Sequence, residues 1–102
     1  MKSKLESYLG FARRAGRLAA GYDTCAQLLK RNKVYLLLVA EDASEKTREK
    51  FMKLAQRHQV QAYVFGTCQS LSEMTGLQDR YIYAVTDNNL AKAIAKEIET
   101  MR

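Results

Sequence analysis

The chain has 102 residues, 47% of them apolar, and carries 17 Lys and Arg against 11 Asp and Glu, a net charge of +6. That length supports a single domain over residues 1–102 with a modest core, and the basic excess points to a polyanionic partner, nucleic acid before anionic membrane. Two cysteines and one histidine exclude a disulfide scaffold and a zinc site and fit a reducing cytoplasm.

The N-terminal stretch has no apolar segment of signal-peptide length, and no run is long enough to span a bilayer, so no membrane association is expected. Ser3-Lys4-Leu5-Glu6 reads as a capping box, in which Ser3 accepts from the Glu6 amide and Glu6 reaches back. Leu5, Tyr8, Leu9 and Ala12 then share one face at helical spacing, and Gly16 ends the helix. Arg13, Arg14 and Arg17 gather at that end, where cations suit either the helix dipole or phosphates. Leu18-Ala19-Ala20 predicts a short strand. Gly21 follows, and Asp23 or Thr24 caps a second helix whose inner face is Cys25, Leu28 and Leu29. Lys30, Arg31 and Lys33 crowd its far end around Asn32. A glycine directly before a helix start leaves amides pointing outward, which suits a phosphate or a polar base edge; an ordinary turn glycine accounts for the same residue.

Residues 34–40, VYLLLVA, run apolar without a break, and Glu41 and Asp42 end the run. A half-buried strand would alternate, so this one reads as buried on both faces, with helices on either side of a central sheet. Asp42 or Ser44 caps a third helix, with Thr47, Phe51, Leu54, Ala55 and His58 along one face. Lys46, Arg48, Lys50, Lys53 and Arg57 sit elsewhere around it and read as a solvated face rather than an RNA groove. His58, at the helix end, reads as structural. Residues 61–65, QAYVF, predict a strand whose exit loop is Gly66, Thr67, Cys68 and Gln69. Ser70-Leu71-Ser72-Glu73 repeats the capping-box pattern, and Gly76 closes a short helix. Residues 81–86, YIYAVT, form a further strand, after which Asp87 caps a last helix striped by Leu90, Ile94, Ile98 and Met101. Regular alternation of this kind predicts an α/β/α layered domain around a parallel or mixed sheet.

Sites for catalysis are sparse. Gly16 and Gly21 have the spacing of a P-loop, but Tyr22 and Asp23 stand where Lys and Ser/Thr are required. One histidine and no nucleophile elbow leave no Ser-His-Asp arrangement. Glu41, Asp42 and Asp87 fall at strand ends, where a carboxylate cluster holds magnesium, yet capping the following helices explains each more simply. No metal or other cofactor is expected, and an enzyme is the weaker class.

Three segments in this order, LGFARRAGRLAAGYDTC, LLLVAEDAS and YAVTD, resemble the kink-turn RNA-binding ribosomal proteins of the L-seven-Ae and L-thirty-e type, most of all the small bacterial YlxQ-like branch. The resemblance covers nearly the whole chain. It implies a three-layer α/β/α sandwich with a four-stranded mixed sheet, and a noncatalytic protein that binds structured RNA, a kink-turn or related internal loop, on the ribosome or during its assembly. In the family an Asn-Glu-x-x-Lys motif after the glycine reads sheared G·A pairs. Here those positions carry Asp23, Thr24 and Gln27: Asp23 accepts but cannot donate as Asn does, and Gln27 hydrogen-bonds without charge. The family's base-gripping loop falls on Gly66, Thr67, Cys68 and Gln69, and its following Leu-Gly is Leu71-Ser72. The expected RNA surface therefore joins Gly21, Tyr22, Asp23, Thr24 and Gln27 to that loop, with Arg17, Lys30, Arg31 and Lys33 on phosphates around it. Tyr22 either stacks on a base or packs on the protein; Cys25 faces the core and Cys68 the RNA. The expected state is a cytoplasmic monomer. The changed motif also supports an alternative, a protein–protein adaptor that kept the fold and lost kink-turn recognition.

Overall fold

A computed structural model describes residues 3–101. Nine elements follow one another: α1 (Lys4–Arg14), β1 (Leu18–Ala20), α2 (Tyr22–Lys30), β2 (Leu36–Val39), α3 (Glu45–Arg57), β3 (Gln61–Val64), α4 (Cys68–Thr75), β4 (Ile82–Val85) and α5 (Asn88–Thr100). The strands form one mixed sheet in the order β1-β4-β2-β3. β4 runs antiparallel to both β1 and β2, and β2 runs parallel to β3. This is the α/β/α sandwich with a four-stranded mixed sheet that the resemblance implies.

The continuous apolar run of the central strand is explained by its two covered faces. Leu36 and Leu38 pack with Leu5, Leu9, Leu71, Ile94 and Ile98 on the side of α1, α4 and α5. Leu37 and Val39 pack with Cys25, Leu29, Phe51 and Leu54 on the side of α2 and α3. Successive side chains of a strand point to opposite faces, so a strand with two dry faces has no polar positions to spare. Burying each such leucine is worth roughly 1.5–3 kcal/mol, which makes this run the main determinant of the layer order.

Four local expectations are corrected. The ladder of β2 begins at Leu36, and Tyr35, inside the apolar run, is 50% exposed although Val34 before it is buried. In α2, Ala26 joins Cys25 and Leu29 as the buried residues, and Leu28 is half-buried; the cap position is Gly21, not Asp23 or Thr24. α4 begins at Cys68, capped by Thr67, whose hydroxyl accepts from the Ser70 amide while the Ser70 hydroxyl accepts from the Thr67 amide. Ser70 is thus the inner partner of a capping box rather than its cap. Met101 is exposed, and α5 packs through Ala91, Ile94, Ala95 and Ile98. Among the described residues no helix is long and apolar enough to cross a membrane.

The topology sorts the loops into two groups. β1, β2 and β3 point the same way, so Gly21, Glu41–Asp42 and Gly66 leave the sheet at one end, where the chain also enters β4. At the opposite end lie Arg17, the turn from α2 to β2, and Thr86.

Candidate nucleic-acid interface

The end of the sheet that carries Gly21 is built around an uncapped helix. Ser3, Ser44, Thr67 and Asp87 cap α1, α3, α4 and α5 through their side chains. α2 alone among the described helices starts without a side-chain cap, at Gly21. The Gly21 amide donates to the Ile82 carbonyl at 2.9 Å, and its carbonyl takes the first helical bond, from Cys25, at 3.1 Å. The amides of the first turn are left to solvent or to an anionic or polar ligand. Asp23 and Thr24 lie exposed in that turn, and Gln27 one turn further on is exposed as well.

Beside this helix start, the exit loop of β2 and the start of α4 are locked together. Glu41 donates its amide to the Gly66 carbonyl at 2.7 Å and accepts from the Gly66 amide through its carboxylate at 3.1 Å. The Asp42 carboxylate accepts from the Cys68 amide at 2.9 Å. These two carboxylates therefore hold the neighbouring loop rather than cap α3, which Ser44 caps; Asp87 does cap α5, accepting from Leu90 at 2.9 Å. Local sequence patterns carry no sign of such a bond between residues 26 apart. Arg48 ties the same loop from below, donating to the carbonyls of Glu41 and Ala43 at 2.9 and 2.6 Å. Gly66 sits at φ +68°, with Ser70 and Leu71 so close that a Cβ would crowd them. Tyr81 completes the surface: the Cys68 sulfur, then the Asp42 charge, raise the pKa of its phenol above the usual tyrosine value.

A concavity of about 500 Å³ runs between these pieces, lined by Gly21, Tyr22, Asp42, Ser44, Arg80 and Tyr81 among others. Tyr22 packs on the protein, edge-on to Phe51 with ring centroids 5.1 Å apart, and the Lys50 ammonium lies 4.4 Å from its ring centre. It remains 43% exposed. Lys50 links this end to a groove between α2 and α3, about 300 Å³ in volume, lined by Lys30, Lys50, Lys53, Leu54 and Arg57. Residues 46, 50, 53 and 57 recur at helical spacing and form one stripe, of which Lys50, Lys53 and Arg57 line the groove with Lys30. The expected solvated face is exposed, as anticipated, but it is concave and gathers its charge from two helices.

The sequence-derived residues thus divide. Gly21, Tyr22, Asp23, Thr24 and Gln27 lie at or just beyond the α2 start, and Gly66, Thr67, Cys68 and Gln69 lie at the α4 start on the same end of the sheet. Lys30 belongs to the α2–α3 groove. Arg17, Arg31 and Lys33 line a separate concavity at the far end with Tyr35, and so do not surround the Gly21 surface. Arg13 donates to the Thr75 carbonyl at 3.2 Å and joins α1 to α4. His58 pairs with the Asn32 side chain at 3.1 Å and fixes the ends of α2 and α3. Cys25 is fully buried, and burial pushes its thiol up to about 12, whereas Cys68 is partly exposed. Sequence reasoning did not find the roles of Glu41, Asp42, Arg48 and Tyr81, which depend on long-range contacts; the groove was signalled only by the helical spacing of the α3 cations.

Comparison with known proteins agrees with this architecture. A solved structure from Bacillus halodurans C, described as a protein with unknown function, superposes with a TM-score of 0.91 at 26% identity, covering 96% of this chain and 99% of that one. Among curated proteins, the chain is 28% identical over 98 residues to the RNA-binding protein YlxQ of Enterococcus faecium, covering 96% of this chain and 94% of that protein. The family model of the ribosomal protein L7Ae/L30e/S12e/Gadd45 family matches residues 3–96, and the chain belongs to that family.

Proposed function

We propose that this protein is a noncatalytic binder of structured RNA, reading a kink-turn or a related bent internal loop, in the cytoplasm and in association with the ribosome or its assembly. The observation that carries the reading is the bare N-terminus of α2, from which Lys50, beside the Tyr22 ring, leads into a groove of four cations between α2 and α3. A bent RNA exposes unstacked bases and a widened groove, which a helix start and a rigid loop can enter. The first-turn amides, Thr24 and Gln27 supply donors and acceptors for base edges, while Lys30, Lys50, Lys53 and Arg57 neutralise phosphates along the flanking stem. The Asp42–Cys68 bond keeps the α4 start in place as the second wall. The name of the Enterococcus faecium relative supports RNA as the partner. Nothing in the binding reading requires a second copy of the chain or a cofactor.

The division of labour is testable. Replacing Lys50, Lys53 and Arg57 together by Gln should lower the slope of log affinity against log salt by about 2–3, with little change in discrimination between RNA sequences. Thr24→Ala with Gln27→Ala should instead reduce discrimination and leave the salt slope unchanged. Retention of the full slope in the triple variant would remove the groove from the interface.

A further inference from the structure

The far end of the molecule holds three cations that the reading above does not use. We infer that Arg17, Arg31, Lys33 and Tyr35 form a second RNA site, one that takes a single-stranded segment by stacking a base on Tyr35 and pairing the adjoining phosphates with the cations. They line a concavity of about 590 Å³ together with Gly16 and Thr86, and no carboxylate lines it. Its position, one strand length from Gly21, separates it from the α2 start by about 13 Å of backbone, beyond the roughly 8–10 Å screening distance at physiological salt.

The cations come from different elements and are held on a fixed frame. The Thr86 amide donates to the Arg17 carbonyl and the Tyr35 amide to the neighbouring Val85 carbonyl, each at 2.9 Å, so the end of β4 sets Arg17 beside Tyr35. Asn32 adopts φ +57° and pairs with His58, which fixes the turn between Arg31 and Lys33. Complementing the α2 dipole does not account for the cluster. The last carbonyls of α2 are closed by backbone, Leu28 and Leu29 each accepting at 3.0 Å from the amides of Lys33 and Asn32, and Arg17 is not part of that helix. Among the described residues the three cationic side chains have no ion-pair or hydrogen-bond partner, and Tyr35 keeps half its surface in solvent. Like charges gathered without a counter-ion repel, and an anionic ligand relieves that repulsion. The exposed ring selects the kind of anion: a base has a face to stack and an inorganic ion has none. A single strand is favoured over a duplex because its bases are free to leave the stack.

With the kink-turn surface at one end and this site at the other, one molecule can hold two RNA segments at once. The second site is nevertheless tested by itself. The natural chain has no Trp, so Tyr35→Trp introduces a unique fluorophore. Titration with an unstructured oligonucleotide of about six nucleotides should quench its emission saturably. In the wild-type protein the same titration should shift the amide resonances of Gly16, Tyr35 and Thr86. Arg31→Gln with Lys33→Gln should weaken both signals about tenfold or more, and Tyr35→Ala should weaken binding by roughly five- to a hundredfold. Resonance shifts confined to Gly21 and Thr67, unquenched emission, or equal binding of a glutamate-rich peptide would overturn the site. Loss of kink-turn binding would leave this readout untouched, so the two proposals fail separately.

Discussion

Gly21 combines φ +108° with ψ 155°, a backbone region that residues with a Cβ rarely enter, although a Cβ would meet open space there. The obstacle to substitution is therefore conformational, not steric crowding by neighbours. Gly21→Ala should cost roughly 1–3 kcal/mol and displace the start of α2, seen as a lower urea midpoint together with weaker RNA binding. An unchanged midpoint would mean that the turn relaxes freely. At this scale the sequence was informative about the glycine but not about its cap. Asp23 and Thr24 are good capping residues two and three positions too late, and only the bond from the Cys25 amide to the Gly21 carbonyl shows where the helix begins. Tyr35 illustrates the opposite failure: an apolar run predicts burial, and its ring is half exposed although Val34, one residue further from the ladder, is buried.

At the scale of elements, the β2–α3 loop and the α4 start behave as one unit because two carboxylates cross between them. Asp42→Ala removes an exposed charge-assisted bond to the Cys68 amide, so its effect on global stability should be small, at most about 1 kcal/mol. Its local effect should be larger: hydrogen exchange at the Cys68 amide should quicken, while exchange in β2 and β4 stays slow. Unaltered exchange at Cys68 would show that the Thr67–Ser70 capping box alone holds the helix start. Element types and order were legible in the sequence, since buried strands and amphipathic helices announce themselves by period. Boundaries were less so where two motifs overlap: Thr67, Ser70 and Glu73 offer capping patterns in succession, and the fold selects the first because Asp42 and Glu41 hold the chain there.

At the scale of the whole molecule, both core layers carry titratable groups that burial keeps neutral. Desolvation raises the Cys25 thiol from 9.0 to about 12 and raises the Tyr83 phenol as well. Among the described residues the Tyr83 hydroxyl has no hydrogen-bond partner; Ser72 and Thr75 lie nearby but donate to the carbonyls of Cys68 and Leu71. A thiol whose pKa is higher folded than unfolded binds more protons in the folded state. Its contribution to stability is complete below about pH 9 and falls as pH rises toward 12, by on the order of 1 kcal/mol per pH unit. Urea midpoints should accordingly be flat near pH 8 and decline above pH 9, less steeply in Cys25→Ala; a midpoint unchanged at pH 10.5 would contradict the burial argument. Charge is distributed at this scale too. The +6 excess concentrates in the α2–α3 groove and at the far end, while Asp42 and Asp79 border the concavity beside Gly21. The proposed reading thus assigns affinity and recognition to different surfaces, a separation that a linear sequence does not display because Lys30 and Lys53 meet only when the helices pack.

The central claim is that the Gly21 end of the sheet reads a bent RNA through its bases. The most direct test is binding to a kink-turn RNA at two salt concentrations, beside the same RNA with its sheared G·A pairs replaced. The account predicts tighter binding to the intact kink-turn at both concentrations, with affinity for both RNAs falling steeply as salt rises. Equal binding to the two RNAs, or no binding to either at low salt, would contradict it.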